Sequence, residues 1–373
     1  MPDPRHVGFN ALFLDPGVSG GPETYLRGLV PAIAEEFPPL ELTVFTTRRG
    51  AAALRADGWT AFTRVVALPC DEGQRMRRLL AEQLAVVAAA RRRGVDVLHS
   101  LASTGPALTP GLRSVVTLHD VTFFRMRTFG RSTTLALKAT VAGAARDADV
   151  LIAGSESARD DACAQLGIDP RSFVVVPHGP GRPPVAQPAA EQPLRERLGL
   201  DGRRLVLCVG ALRPHKNQRQ LVEALPQLPA DVAVVLAGAH ELEAEALGPL
   251  AQRLGVADRL RMPGYLPDAE VEGLWRMAAC AAFPTRAEGF GLPVLEAMRR
   301  GVPVACSDLP VLHEVGGDVA HYFALDDPRA TAAAIVAAMD DGSAPQLGPA
   351  RAADFSWEAA ARGTYAAYAR ALA

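Results

Sequence analysis

Two glutamates, Glu288 and Glu296, bracket the run Glu288-Gly-Phe-Gly-Leu-Pro-Val-Leu-Glu296. Residues 280–284 before it read as a short buried strand, and Leu292, Leu295 and Met298 behind it recur at helical spacing. The chain therefore turns from strand to helix through Gly289, Phe290 and Gly291, where glycine lets the backbone come close to a ligand. Pro293 suits the first helical turn because no hydrogen-bonded N–H is needed there. Amides at a helix N-terminus attract a phosphate or another anion. On helical spacing the two carboxylates lie about two turns apart on nearly one face, where they can grip two sets of hydroxyls.

Positive charge comes from elsewhere. Lys138 and Lys216 are the only lysines. Lys216 falls in Val209-Gly-Ala-Leu-Arg-Pro-His-Lys-Asn217, a loop that leaves an apolar run at Gly210. Arg213 and Lys216 are placed there to neutralise a diphosphate as charge develops on it. His119 and Asp120 directly follow the apolar run 114–118, where a histidine can act as hydrogen-bond donor or acid–base group. Gly20 and Gly21 lie in a glycine-rich loop ahead of a helical stripe of Leu26, Leu29, Val30, Ile33 and Phe37, without dinucleotide spacing. Pro31 is expected to kink or shorten that helix. Gly238 and His240, and Tyr265 and Leu266 after Gly264, follow strands and can wall a nucleotide base. Ser307, Asp308 and Glu314 can border the same site. Asp147 and Asp149 have Asp-x-Asp spacing, but at a helix end they read as solvated or capping, and no other cluster has metal-ligand spacing.

Residues that act from strand ends need a parallel sheet to hold them. Apolar runs at 7–14, 40–46, 95–99, 114–118, 150–153 and 173–176 alternate with helix-like stretches, which indicates a doubly wound α/β sheet. The proline- and glycine-rich segment 179–188 reads as a linker. The pattern then restarts at 205–209, 232–237, 259–262, 280–283, 302–305 and 321–323. Two such Rossmann-like domains facing each other create a cleft at their strand ends. Residues 355–372 form a last helix, with Phe355, Ala359, Tyr365 and Tyr368 available for packing and Asp354 or Ser356 as its cap.

At 373 residues, with 49% hydrophobic and 21% charged side chains, the chain has the composition of a folded two-domain protein. A net charge of −2 argues against general nucleic-acid affinity. No signal peptide or membrane span is read, so a cytoplasmic protein with at most peripheral membrane contact, monomer or homodimer, is expected. Cys208, Cys280 and Cys306 lie in strand-like runs, as buried free thiols would in a reducing compartment.

The Glu288-to-Glu296 run, followed by Gly301-Val-Pro-Val-Ala-Cys-Ser-Asp308 and His313-Glu-Val-Gly-Gly-Asp318, resembles family 4 of the retaining glycosyltransferases, which have the GT-B fold. The resemblance extends in order to 210–217, to the strand before His119 and to the loop 17–21. It implies an acceptor-side domain over 1–183, a nucleotide-sugar-binding domain over 184–353, and a helix over 354–373 packing back on the first. It implies that Glu288 contacts hydroxyls of the donor sugar and Glu296 the nucleotide ribose. Gly289, Phe290, Gly291 and Leu292 would face sugar and diphosphate, with Gly210, Gly238, Tyr265 and Leu266 around the nucleotide. Lys216 would neutralise the diphosphate, Gly20 and Gly21 would approach the phosphates, and His119 would bond the donor sugar. Relatives often carry arginine where Ala211 stands and Glu-Pro-Arg-Lys-Asn where this chain has Arg213-Pro-His-Lys-Asn217, so either Arg213 or His215 supplies the second cation. They also commonly have asparagine where His178 precedes Gly179.

The implied reaction moves a hexosyl or deoxyhexosyl group from GDP-mannose or a dTDP- or UDP-sugar to a hydroxyl of a glycan, lipid-linked sugar or natural product. Retention, no metal and no cofactor are expected, the nucleotide-sugar being a substrate. Arg125, Arg127 and Arg131 can meet an anionic acceptor. A non-hydrolysing sugar-nucleotide epimerase of the same plan is the alternative, distinguished by needing no acceptor. An exported sugar-binding protein and a dinucleotide-dependent oxidoreductase fit less well, the latter for want of a Gly-x-Gly-x-x-Gly turn.

Overall fold

The computed structural model describes residues 3–70, 75–126 and 131–373. The chain divides into two compact units, Met1–Gly179 with Phe355–Ala373, and Pro180–Asp354.

The first unit is built on seven parallel strands: β1 His6–Ala11, β2 Glu41–Thr46, β3 Arg64–Ala67, β4 Val97–Ser100, β5 Arg113–Leu118, β6 Val150–Ala153 and β7 Phe173–Val175. Their order is β3-β2-β1-β4-β5-β6-β7. Every residue of β1 is buried, as expected for a strand covered by helices on both faces. One core layer sets Val7, Phe9 and Ala11 against Tyr25, Leu26, Leu29 and Ile33 of the helix Gly21–Glu36, and against Ala360, Ala367 and Tyr368 of the final helix. The helix Gly21–Glu36 continues through Pro31, so the proline does not shorten it. β3 has no counterpart among the apolar runs above, because it is four residues long and two of them, Arg64 and Ala67, are exposed.

The final helix Trp357–Leu372 is capped by Ser356, whose hydroxyl accepts the Ala359 N–H at 3.0 Å. Phe37 stacks on Tyr365 with centroids 3.9 Å apart. Ala359, expected to pack, is exposed, and Ala360 and Ala361 are buried in its place. Trp357 lies across two glycines of the same unit: a Cβ on Gly28 would sit 2.0 Å from its ring and one on Gly179 2.4 Å.

The second unit carries six parallel strands: β8 Arg204–Val209, β9 Val232–Ala237, β10 Leu260–Gly264, β11 Ala278–Phe283, β12 Val304–Ser307 and β13 His321–Phe323. Their order is β10-β9-β8-β11-β12-β13. Residues 180–183 go with this unit rather than the first, because Arg182 gives its backbone N–H to Glu296 at 2.9 Å and its side chain to Asp268 at 3.0 Å. The five cysteines are free; Cys208, Cys280 and Cys306 are buried, and burial pushes the Cys208 and Cys280 thiols up to about 12. Among the described residues, no helix is long and apolar enough to cross a membrane.

Candidate active site

In the second sheet the strand order runs outward in both directions from the β8–β11 pair. Loops that follow such a pair part from each other and leave a crevice at the carboxyl edge. Those loops, 210–217 and 284–291, carry Gly210, Arg213, Lys216, Glu288, Gly289, Phe290 and Gly291, and they are tied together. The His215 carbonyl accepts the Arg286 N–H at 2.7 Å and the Thr285 hydroxyl at 3.1 Å. Lys216 Nζ donates to Glu288 Oε2 at 2.5 Å. Asn217 takes a left-handed conformation, φ 53°, to turn the chain into the helix Gln218–Ala224, and its side-chain amide donates to Gln220 at 2.7 Å. Lys216 and Glu288 line a concavity with Thr285, Gly291 and Pro293.

Gly291 is the N-cap of the helix Leu292–Arg299, with φ 108° and no side-chain cap. A Cβ there would meet Leu312 at 3.0 Å, so both conformation and space demand glycine. The helix begins at Leu292, so Glu288 belongs to the preceding turn. The two glutamates therefore do not share a helical face, contrary to the reading from their spacing. Glu288 turns to Lys216. Glu296 Oε1 instead accepts the Arg182 N–H of the linker, and Gly181 packs so tightly against it that a Cβ would lie 2.4 Å from the Glu296 side chain. Burial pushes the Glu296 carboxyl up, opposed by that N–H and by the charges of Arg300 and Arg182. Phe290 is buried and Leu292 half-buried.

Arg213 accepts the Lys216 N–H on its backbone carbonyl at 2.9 Å. Its guanidinium forks onto Glu241, at 2.8 and 2.7 Å. Glu241 follows β9 and carries no local mark in the sequence; its loop is zipped to the β8 loop by the Leu212–His240 bridge. Gly210, Gly238 and Gly264 stack at adjacent strand ends. A Cβ on Gly238 would lie 2.1 Å from the Gly210 carbonyl oxygen, so close packing alone accounts for that glycine. Tyr265 is 58% exposed while Leu266 is buried. Ser307 is buried, and Asp308 pairs with His313 at 2.7 Å.

In the first unit, His119 follows β5 and is held from two directions. Its backbone N–H donates to Ser103 Oγ at 3.0 Å, and Nε2 lies 2.7 Å from the Leu101 carbonyl. A carbonyl only accepts, so Nε2 carries the proton and Nδ1 presents a lone pair. Burial lowers the pKa of His119, partly countered by the Leu101 carbonyl and Asp120. The ring packs edge-on to Tyr25 and His178 at 5.0 and 5.4 Å. Beneath it, Thr117 Oγ1 lies 3.2 Å from the Tyr25 hydroxyl and 2.7 Å from His99 Nε2, and His99 Nδ1 lies 2.7 Å from the Tyr368 hydroxyl. The only trace of this network in the sequence is a histidine inside an apolar strand. Gly20 caps the helix Gly21–Glu36 at φ 61° with open space beside it, and buried Glu23 anchors the loop by accepting the Gly17 N–H at 3.0 Å.

Asp147 accepts the Thr109 hydroxyl at 2.9 Å, and Asp149 accepts the Ser114 N–H at 2.8 Å and pairs with Arg113. These bonds run to a loop hydroxyl and to the start of β5 rather than to helix-end amides. Arg125 pairs with Asp161. Arg127 lies outside the described residues, as does the side chain of Arg131.

Comparison with known proteins covers both units. Residues 191–348 match the family model described as "Glycosyl transferases group 1", and residues 19–179 match that of "Glycosyltransferase Family 4". The chain belongs to the glycosyltransferases. Among relatives of this glycosyltransferase, the O-antigen chain mannosyltransferase B of Escherichia coli is 35% identical over 48% of this chain and 50% of its own length. A D-inositol 3-phosphate glycosyltransferase of Xylanimonas cellulosilytica is 35% identical over 60% and 57% respectively. The chain thus spans about half the length of the curated relatives it matches. Among solved structures, Anabaena HepE in complex with UDP-glucose superposes with a TM-score of 0.74 at 22% identity, over 97% of this chain and 98% of that one. The lipopolysaccharide glycosyltransferase WaaG gives 0.68 at 17%, over 93% and 94%. The glycosyltransferase has the GT-B fold.

Proposed function

We propose that this protein transfers a glycosyl group from a nucleoside-diphosphate sugar to an acceptor hydroxyl, with retention at the anomeric carbon and without a metal. The observation that carries the reading is the Lys216–Glu288 pair, set at the divergence point of the second sheet beside an uncapped helix N-terminus. Lys216 and the amides of that helix end supply positive potential for a diphosphate leaving group. Glu288, bonded to the same lysine, is placed to accept from hydroxyls of the transferred sugar. Glu296 is assigned to the ribose through its second oxygen, and Arg213, or His215, to the diphosphate. In the first unit, His119 accepts a sugar hydroxyl at Nδ1, and Gly20 and Gly21 approach the phosphates.

In the proposed step the bond from the anomeric carbon to the β-phosphate oxygen breaks while the acceptor oxygen bonds that carbon on the same face. The acceptor's proton passes to the departing phosphate oxygen. The glutamates act as binding groups rather than as an acid–base couple. GDP-mannose is the favoured donor, because the relatives include the E. coli mannosyltransferase and a mycobacterial enzyme named as GDP-mannose-dependent, 37% identical over 31% of this chain. A UDP- or dTDP-sugar is the second choice. The acceptor is a glycan, a lipid-linked sugar or a natural product.

Thermal-shift screening against GDP, UDP and dTDP tests the donor assignment, since a ligand that binds only the native state raises its melting temperature. Turnover of the matching sugar nucleotide in excess EDTA then tests metal independence: activity lost in EDTA and restored by manganese contradicts it. Release of free nucleotide and altered sugar without any acceptor would favour the epimerase instead.

A further inference from the structure

Helical residues 75–91 of the first unit are interrupted by a π turn, Ala81–Ala85, which carries a buried carboxylate. Glu82 Oε1 accepts the Asn10 side-chain N–H at 3.0 Å and the Thr104 hydroxyl at 2.9 Å. Its neighbour Gln83 donates to the Gly105 carbonyl at 2.8 Å and accepts the Ala107 N–H at 2.8 Å. The loop 101–107 after β4 is thereby gripped along most of its length. Within it Ser103 sits at φ 63°, left-handed backbone that a non-glycine residue keeps only when its surroundings impose it. A π turn is likewise rare and concentrated where function needs it. The two departures meet on one loop, and that loop's other side holds His119 through the Leu101 carbonyl and the Ser103 hydroxyl.

We propose that Glu82 is a positioning residue for His119: the π turn fixes the loop 101–107, and the loop fixes the place and tautomer of the imidazole. Glu82 reaches His119 only through that loop. Were the loop to slip, the Leu101 carbonyl would no longer hold the proton on Nε2, and the Nδ1–H form would offer a sugar hydroxyl a donor where it needs an acceptor. A buried carboxylate is costly without such bonds, so a π turn that aims one at both Asn10 of β1 and Thr104 is a device for holding that loop to the sheet. The consequence for catalysis rests on the assignment of His119 to the transferred sugar.

The test uses the full chain with nitrogen-15 histidine, reading the His119 ring by long-range nitrogen–proton correlation and assigning it by its loss in His119→Gln. The wild type is expected to show one Nε2–H tautomer. In Glu82→Ala a mixture is expected, with kcat for GDP-mannose turnover down about 10- to 100-fold, as misplacement of a contact group implies, and KM for the donor little changed. Glu82→Gln, which keeps an acceptor oxygen, is expected to restore both. Thr104→Val removes only the hydroxyl that reaches Glu82 and is expected to move the spectrum the same way; if Glu82→Ala does not fold, it decides. An unchanged His119 signal in the folded variants overturns the proposal. A shifted tautomer with unchanged turnover supports the positioning role and overturns the assignment of His119 to the sugar.

Discussion

Lys216 Nζ lies 2.5 Å from Glu288 Oε2, joining the loop after β8 to the turn after β11 where the second sheet diverges. The side chains are 27% and 18% exposed, so the bond is shielded without being sealed from a ligand. A diphosphate and a sugar hydroxyl arriving together would find one cation and one carboxylate already aligned, with little reorganisation left to make.

Glu288→Gln separates the two roles. It leaves the shape of the turn but removes the negative charge, so turnover of the sugar nucleotide is expected to fall about 100-fold or more. Affinity for the free nucleoside diphosphate should hold or rise, because Lys216 loses its competing partner. Steady-state kinetics with calorimetric titration of GDP and UDP checks both halves.

The histidines of the first unit predict an acid-sensitive fold. Burial, with a smaller contribution from His119, lowers His99 to about 3 from 6.5, and burial depresses His119 and His178 in the same direction. Below about pH 6.5 the unfolded chain binds protons that the folded one refuses, so stability is present above that pH and lost as pH falls towards the folded values. Each such group contributes at most about 1.4 kcal/mol per pH unit. Melting temperature should be flat from pH 8 to 6.5 and decline below it, with a shallower decline in His99→Gln.

Gly28→Ala should destabilise although alanine is the better helix former. The added Cβ would meet the Trp357 ring at 2.0 Å, and overpacking of this kind costs about 1–3 kcal/mol. Urea unfolding checks it, and a Gly28→Ala/Trp357→Leu double variant should lose less than the two single changes summed.

Arg300 and Glu272 form an ion pair at 2.8 Å with side chains 8% and 4% exposed. Glu272 also accepts the Val185 N–H at 3.3 Å, and Arg300 donates to the Glu296 carbonyl at 2.9 Å. Arg300→Met strands a buried carboxylate and is expected to cost about 3–5 kcal/mol, whereas replacing both partners by methionine should cost far less. Denaturant midpoints for the three variants decide this.

The parallel strands other than β3 were legible because buried strands stand out as apolar runs between helical stretches, and β6, β9 and β13 coincide with theirs. The turn at Gly291 was legible because glycine and an early proline mark a helix start. Side-chain partnership was not. Spacing placed Glu296 beside Glu288, yet Glu296 bonds to linker residue Arg182, and only the fold brings those two together. Arg213 read as a loop cation because Glu241, which neutralises it, lies 28 residues on. Glu82 carries no local mark at all, since a single glutamate between leucines reads as solvated surface until a π turn rotates it inward.

Lys216 is proposed to meet the diphosphate of a sugar nucleotide. Calorimetric titration of GDP into the wild type and into Lys216→Ala, both in excess EDTA, tests it most directly, with UDP and dTDP run alongside to establish the base. Saturable binding by the wild type, weakened at least about tenfold in the variant while its melting temperature stays near that of the wild type, is the predicted result, tenfold being about 1.4 kcal/mol. Equal affinity in the two proteins, or no binding of any of the three nucleotides until a divalent metal is added, would contradict it.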